Sequence, residues 1–79
     1  MAVVVKYFGA IAEATGVAEE RMELDDVKRS LKVLKANCLS KYETIGDLSF
    51  QLAVNQSLSP IDDLKDGDEV AFLPPFAGG

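Results

Sequence analysis

Val70-Ala71-Phe72-Leu73 is the most continuously apolar strand-like run in the chain, and the two prolines that follow forbid it from continuing. β-Branched, aromatic and aliphatic residues suit a pleated, buried surface, and a strand this apolar belongs in the centre of a sheet. Asp66-Gly67 supplies turn chemistry just before it. Pro74 and Pro75 lack backbone N–H donors and fix φ, so pairing lapses there and a stiff, extended segment leaves the body. Any fold for this chain has to place its last strand centrally and leave an exit at that strand's end.

The other elements fit around such a strand. Val3-Val4-Val5-Lys6-Tyr7-Phe8 reads as a first strand by its β-branched and aromatic content, with Val3, Val5 and Tyr7 facing the core. Residues 9–16 read as a short helix with Ile11, Ala14 and Ala10 inward and Gly16 as its stop. Glu20-Arg21-Met22-Glu23-Leu24 alternates charged and apolar side chains, the mark of a strand covered on one face, and it follows closely enough to return antiparallel beside the first. Asp25 and Asp26 begin a link to the main helix. Asp26 is one candidate cap, but Ser30 followed by Leu31, Leu34, Cys38 and Tyr42 gives the better spacing for one buried helix face.

Beyond that helix, residues 43–47 read as a loop and residues 49–54 as a third strand with Phe50, Leu52 and Val54 on one side. Asn55-Gln56 makes a turn into Ser57-Leu58, read as a very short edge strand. Residues 59–64 read as a loop with one helical turn anchored by Ile61 and Leu64. The order is that of an α+β fold in which a mixed sheet of four to five strands wraps over one main helix, with the last strand parallel to the first.

Charge and residue usage exclude several classes of function. Thirteen acidic and eight basic residues give a net charge of −5, which argues against nucleic acid or an anionic membrane as partner and points to a basic groove on another protein. Lys28, Arg29, Lys32, Lys35 and Lys41 gather in or just before the main helix, a solvated face on the simplest reading and a docking patch otherwise. Cys38 is the only cysteine and there is no histidine, so an internal disulfide, a zinc set and histidine-based nucleophilic chemistry are ruled out. Lying on the helix's apolar stripe, Cys38 reads as a buried core thiol. The first residues carry no basic leader before their apolar run, and no stretch approaches the ~20 apolar residues of a membrane span, so the cytoplasm is the expected compartment.

Chemistry is left to the tail, Phe76-Ala77-Gly78-Gly79. Ala77, Gly78 and Gly79 have almost no side-chain bulk, so they can thread a narrow channel, and a terminal Gly79 carboxylate is open to attack from either face. Such a carboxylate is inert until activated, most simply as an acyl-adenylate. The chain has no phosphate-cradling glycine loop with which to do this itself. The tail is therefore a substrate or carrier, and the chain divides into a domain of residues 1–75 and a flexible tail of residues 76–79.

Ala53-Val54-Asn55-Gln56-Ser57-Leu58, together with the run from Leu64-Lys65-Asp66-Gly67-Asp68-Glu69-Val70 through Pro74-Pro75 to Gly78-Gly79, resembles the small subunit of molybdopterin synthase. That family comprises sulfur carriers of ubiquitin-like β-grasp fold. The close match covers about the last third of the chain; residues 20–48 match in pattern only. The resemblance implies a cycle in molybdenum cofactor biosynthesis. A ubiquitin-activating-type enzyme would adenylate Gly79 with ATP and magnesium, sulfur transfer would give a thiocarboxylate, and the tail would deliver sulfur to cyclic pyranopterin monophosphate in the large subunit. Catalytic groups would belong to the partner, and this chain would hold no cofactor or metal of its own. The resemblance also implies a heterotetramer of two large and two small subunits.

Phe72, Leu73, Pro74, Pro75, Phe76 and Ala77 form the uncharged stretch expected to meet a partner, except where they are core; Val70 and Phe72 read as core, and Phe76 as the better contact. Asp66, Asp68 and Glu69 read as solvated turn residues, or as steering groups for a basic partner. Three other readings share the tail: a thiamine-pathway sulfur carrier, a ubiquitin-like modifier joined to protein lysines through Gly79, and an interaction domain whose tail is idle. Pro74-Pro75 and the Asp-Gly-Asp-Glu-Val run favour the molybdopterin member over the thiamine one.

Overall fold

The computed structural model describes residues 1–25, 29–58 and 63–75. Asp26, Lys28, Ile61 and the tail from Phe76 to Gly79 lie outside them, so the readings that fall on those residues are not addressed by the fold. In order, the elements are β1 (Ala2–Tyr7), α1 (Ala10–Thr15), β2 (Glu19–Glu23), α2 (Leu31–Lys41), a 3-10 turn (Glu43–Asp47), β3 (Gln51–Val54) and β4 (Glu69–Leu73).

The four strands form one mixed sheet in the order β2-β1-β4-β3. β4 lies in the interior of the sheet, parallel to β1 with Val5 opposite Val70 and Tyr7 opposite Phe72, and antiparallel to β3 with Ala53 opposite Ala71. β2 returns antiparallel along the other side of β1. This is the β-grasp arrangement, a sheet curled over one main helix, and its centre is the apolar strand singled out by residue type.

Alternation decides the two faces of the sheet. Val3, Val5, Tyr7, Val70 and Phe72 point inward and are fully buried, where they join Ile11 of α1, Leu34 and Cys38 of α2, Ile45 and Leu64 in one cluster. Phe50, Leu52 and Val54 pack against its margin on the same side. Phe72 is the pivot of the aromatic contacts: its ring centroid lies 5.4 Å from Tyr7 and 5.1 Å from Phe50, at separations typical of favourable ring pairs.

Helix ends follow local chemistry. Ser30 caps α2, its hydroxyl accepting from the Val33 N–H at 3.1 Å. Gly16 stops α1 at φ 80°, in the left-handed region that glycine enters at no steric cost, and donates its N–H to the Ala12 carbonyl. Within α1, Ile11 is buried and Ala14 half-buried, but Ala10 is exposed at the first helical position and does not face the core.

Further expectations fail. The segment Glu43–Asp47 is a 3-10 turn rather than a loop, because Ile45 turns into the core and is fully buried. Ser57-Leu58 adds no fifth strand among the described residues: Ser57 makes one isolated bridge back to Val54, closing a hairpin turn whose corner residues Asn55 and Gln56 have φ 50° and 70°. β3 is also shorter than expected, starting at Gln51.

Candidate functional site

The tail's root is fixed by backbone bonding before any side chain matters. The parallel β1–β4 ladder runs to Phe72, whose carbonyl accepts from the Phe8 N–H at 3.2 Å, one residue past the end of β1. The chain then enters Pro74 and Pro75, both exposed. Gly9 supports the exit: at φ 57° and ψ −133° it takes a conformation that side chains disfavour, and a Cβ placed there would stand 3.3 Å from Cγ of Pro74. The β1–α1 turn and the first proline ring are thus in close approach, so the tail leaves from a braced point.

Beside this exit, the outer face of the sheet holds a groove of about 370 Å³ lined by Lys6, Phe8, Ala53, Gln56, Leu58, Glu69, Ala71 and Leu73. Its shape follows from register. Ala53 lies opposite Ala71, which in turn lies opposite Lys6, so two small residues form a low floor. Phe8, Leu58 and Leu73 rise around it, with Phe8 43% and Leu58 49% exposed. Lys6 and Glu69 close the remaining side as an ion pair between β1 and β4.

Of the residues expected to contact a partner, Leu73 lines the groove, and Pro74 and Pro75 follow it in the chain and are exposed. Phe72 has no exposed surface and belongs to the core, so it leaves the candidate contact set; its alternation with Leu73 puts it on the opposite face. Phe76, Ala77, Gly78 and Gly79 lie outside the described residues. The sequence reading missed Phe8, Ala53, Leu58 and Ala71 as one surface. A signal existed, since placing Val5 and Tyr7 inward places Lys6 and Phe8 outward, and Ala71 and Leu73 alternate with Val70 and Phe72.

The acidic turn before β4 takes part in local hydrogen bonding. Asp66 accepts from the Ala2 N–H at 2.8 Å, and Asp68 accepts from the Lys65 N–H at 2.9 Å and from Asn55 Nδ2 at 3.0 Å. Asn55 in turn accepts from the Glu69 N–H at 3.0 Å, extending the β3–β4 ladder by one side chain. The basic helix is likewise engaged within the chain: Arg29 pairs with Asp63 at 3.2 Å, Lys41 with Glu20 at 2.5 Å, and Lys35 lies 5.5 Å from the centre of the Phe50 ring.

A second polar cluster lies on the covered face, away from the tail. Glu20 accepts from the Tyr7 hydroxyl at 2.8 Å, the Tyr42 hydroxyl at 2.7 Å and Lys41 Nζ. Burial would raise the Glu20 carboxyl, but the hydrogen bonds from Lys41, Tyr42 and Tyr7 outweigh it and hold the group below its ordinary value. Tyr7 is pushed up by burial and by its bond to Glu20, and the Cys38 thiol, 3.7 Å from the Tyr7 hydroxyl, is pushed up mainly by burial. Such a thiol is a poor nucleophile. The cluster is a fastening between β1, β2 and the end of α2.

Comparison with known proteins agrees with the fold. Residues 5–79 match the model of the ThiS family. The chain belongs to the ThiS family. Among curated relatives, it is 42% identical over 80 residues to the molybdopterin synthase sulfur carrier subunit of Mycobacterium tuberculosis, covering 95% of this chain and 94% of that one. Among solved structures, a chain of the protein–protein complex of subunits 1 and 2 of the molybdopterin-converting factor from Helicobacter pylori is similar to this ThiS-family chain at 31% identity, with a TM-score of 0.73 and full coverage of both chains. SAMP1 from Haloferax volcanii superposes with a TM-score of 0.83 at 18% identity, a likeness of fold alone. No helix among the described residues is long and apolar enough to cross a membrane.

Proposed function

We propose that this chain is the sulfur carrier subunit of a molybdopterin synthase, with the Gly79 carboxylate as the group that carries sulfur and the groove beside the tail's root as the face that meets the large subunit. The observation that supports it most is the geometry of the exit: a central strand, paired on both sides, hands directly to Pro74-Pro75 beside an apolar groove. A carrier needs a reactive end that reaches away from a fixed base. The Helicobacter pylori relative, solved in a complex of subunits 1 and 2 of the molybdopterin-converting factor, supports a partner of the same kind here.

In this reading the Gly79 carboxylate attacks the α-phosphorus of ATP in a separate activating enzyme, forming an acyl-adenylate and releasing pyrophosphate. A hydrosulfide equivalent then adds to the acyl carbon and expels AMP, leaving a thiocarboxylate. Its sulfur is larger and more polarisable than oxygen and is a good nucleophile near neutral pH. Gly78 and Ala77 keep the approach unobstructed, Leu73, Pro74, Pro75 and Phe76 with the groove residues hold the partner, and the large subunit supplies the acids and bases for sulfur delivery to the pyranopterin. Two such deliveries complete one dithiolene, which fits a heterotetramer with two carriers.

The test is intact mass after incubation with a matching activating enzyme, ATP, magnesium and a sulfur donor. A shift equal to oxygen replaced by sulfur, mapped to Gly79 and absent when Gly79 is deleted, is the expected result, with the deletion unfolding at the same temperature as the parent. Conjugates to protein lysines without that shift would move the assignment to a modifier. Loading followed by delivery only to a thiamine-pathway acceptor would move it to that branch of the family.

A further inference from the structure

We propose that the Lys6–Glu69 ion pair neutralises the docking groove and so selects an uncharged, apolar partner surface at this point; this rests on reading the groove as the large-subunit face. The chain carries a net charge of −5, which by itself favours a basic complement. The groove departs from that average. Among the described residues, its lining has two charged side chains, Lys6 and Glu69, and they are joined to each other.

Register fixes the pairing. Val4 lies opposite Glu69 and Lys6 opposite Ala71 on the adjacent parallel strands, so the two side chains leave the same face one step apart. Glu69 is held from its other edge as well, its N–H donating to Asn55 Oδ1 and its carbonyl accepting from the Asn55 N–H at 2.8 Å. Lys6 is kept cationic by the hydrogen bond and charge of Glu69, with Glu19 adding to the attraction. Neither partner needs to search for the other.

The pair matters little to folding while water reaches it, since the Lys6 and Glu69 side chains are 37% and 31% exposed. Docking changes its surroundings. A partner that covers the groove removes that water, and a lone charge left there is then costly, whereas a matched pair, or no charge at all, is tolerated. Coupling between the two positions should therefore be seen in association and not in unfolding.

The experiment measures affinity for the large subunit, by calorimetry at fixed salt, of the parent carrier, Lys6→Met, Glu69→Met and the double variant, alongside melting of all four. Each single substitution is expected to weaken binding by at least about tenfold, and the double variant to return to within about threefold of the parent or to bind more tightly. Melting should be nearly the same throughout. Additive losses would overturn the inference, as would a harmless Lys6→Met beside a harmful Glu69→Met, because Glu69 would then be serving a cation of the partner. Phe8→Ala and Leu58→Ala separate the two levels of the argument. If neither affects association, the groove is not the docking face and both readings fall; if both weaken it while the charged positions show no coupling, this inference alone fails.

Discussion

Glu20 shows how a single carboxylate can be misread from alternation. In Glu20-Arg21-Met22-Glu23-Leu24 the charged residues look like the solvent side, yet parity puts Glu20 on the same face as Met22 and Leu24. The sequence does not show what it meets there, because Tyr7, Lys41 and Tyr42 lie on other elements. The carboxyl is held below its ordinary value, so its contribution is present above the unfolded carboxylate range, near pH 4, and is lost as pH falls through the folded value. Glu20→Gln should lower stability by about 1–2 kcal/mol at neutral pH, a charge-assisted bond being worth that much. The deficit should shrink as the parent is acidified through that window, measured by urea unfolding at a series of pH values. A deficit that stays constant would remove Glu20 ionisation from the account. Other residues were legible one by one: Val3, Val5, Tyr7, Cys38, Leu64, Val70 and Phe72 are buried as their types and spacing imply.

Elements were legible where their signals are local. The start of α2 is set by a serine and the apolar spacing behind it, and both are within a few residues of one another. Ser30→Ala should cost about 1 kcal/mol through the lost bond to the Val33 N–H. In a chain of this size that is a fall of about 4–8 °C in Tm by thermal melting; an unchanged Tm would mean that the bond contributes nothing in solution. The 3-10 turn at Glu43–Asp47 was hidden because one buried residue, Ile45, holds it against a core assembled from distant segments. The groove was hidden for a related reason. Its floor and one side follow a row across three strands, Ala53, Ala71 and Lys6, and no window along the chain contains that row.

At the scale of the molecule, the sheet order divides the strands into an inner pair, β1 and β4, and an outer pair, β2 and β3. Inner-strand amides are bonded on both sides and sit over the main cluster, so they should open only with global unfolding. Hydrogen exchange followed by NMR should find the slowest amides in β1 and β4, with Val5 and Val70 among them, and faster exchange in β3. Equal protection in all four strands would show that the sheet opens as one unit. Charge is also distributed within the molecule: the basic side chains of α2 and the acidic turn before β4 are largely engaged with their own chain. A net charge therefore says less about the groove's lining than the register of three strands does.

The pairing of β4 with β1 brings the strand that roots the tail beside the first strand, so the exit is supported by segments far apart in sequence. Contacts between such distant segments are entropically expensive to close. An unfolded copy carries the same Gly-Gly sequence but has neither the braced root nor the groove. Under the proposed function, a partner that gripped the groove while taking the tail would thereby inspect the workmanship of the whole domain, and would admit to chemistry only molecules that have finished folding.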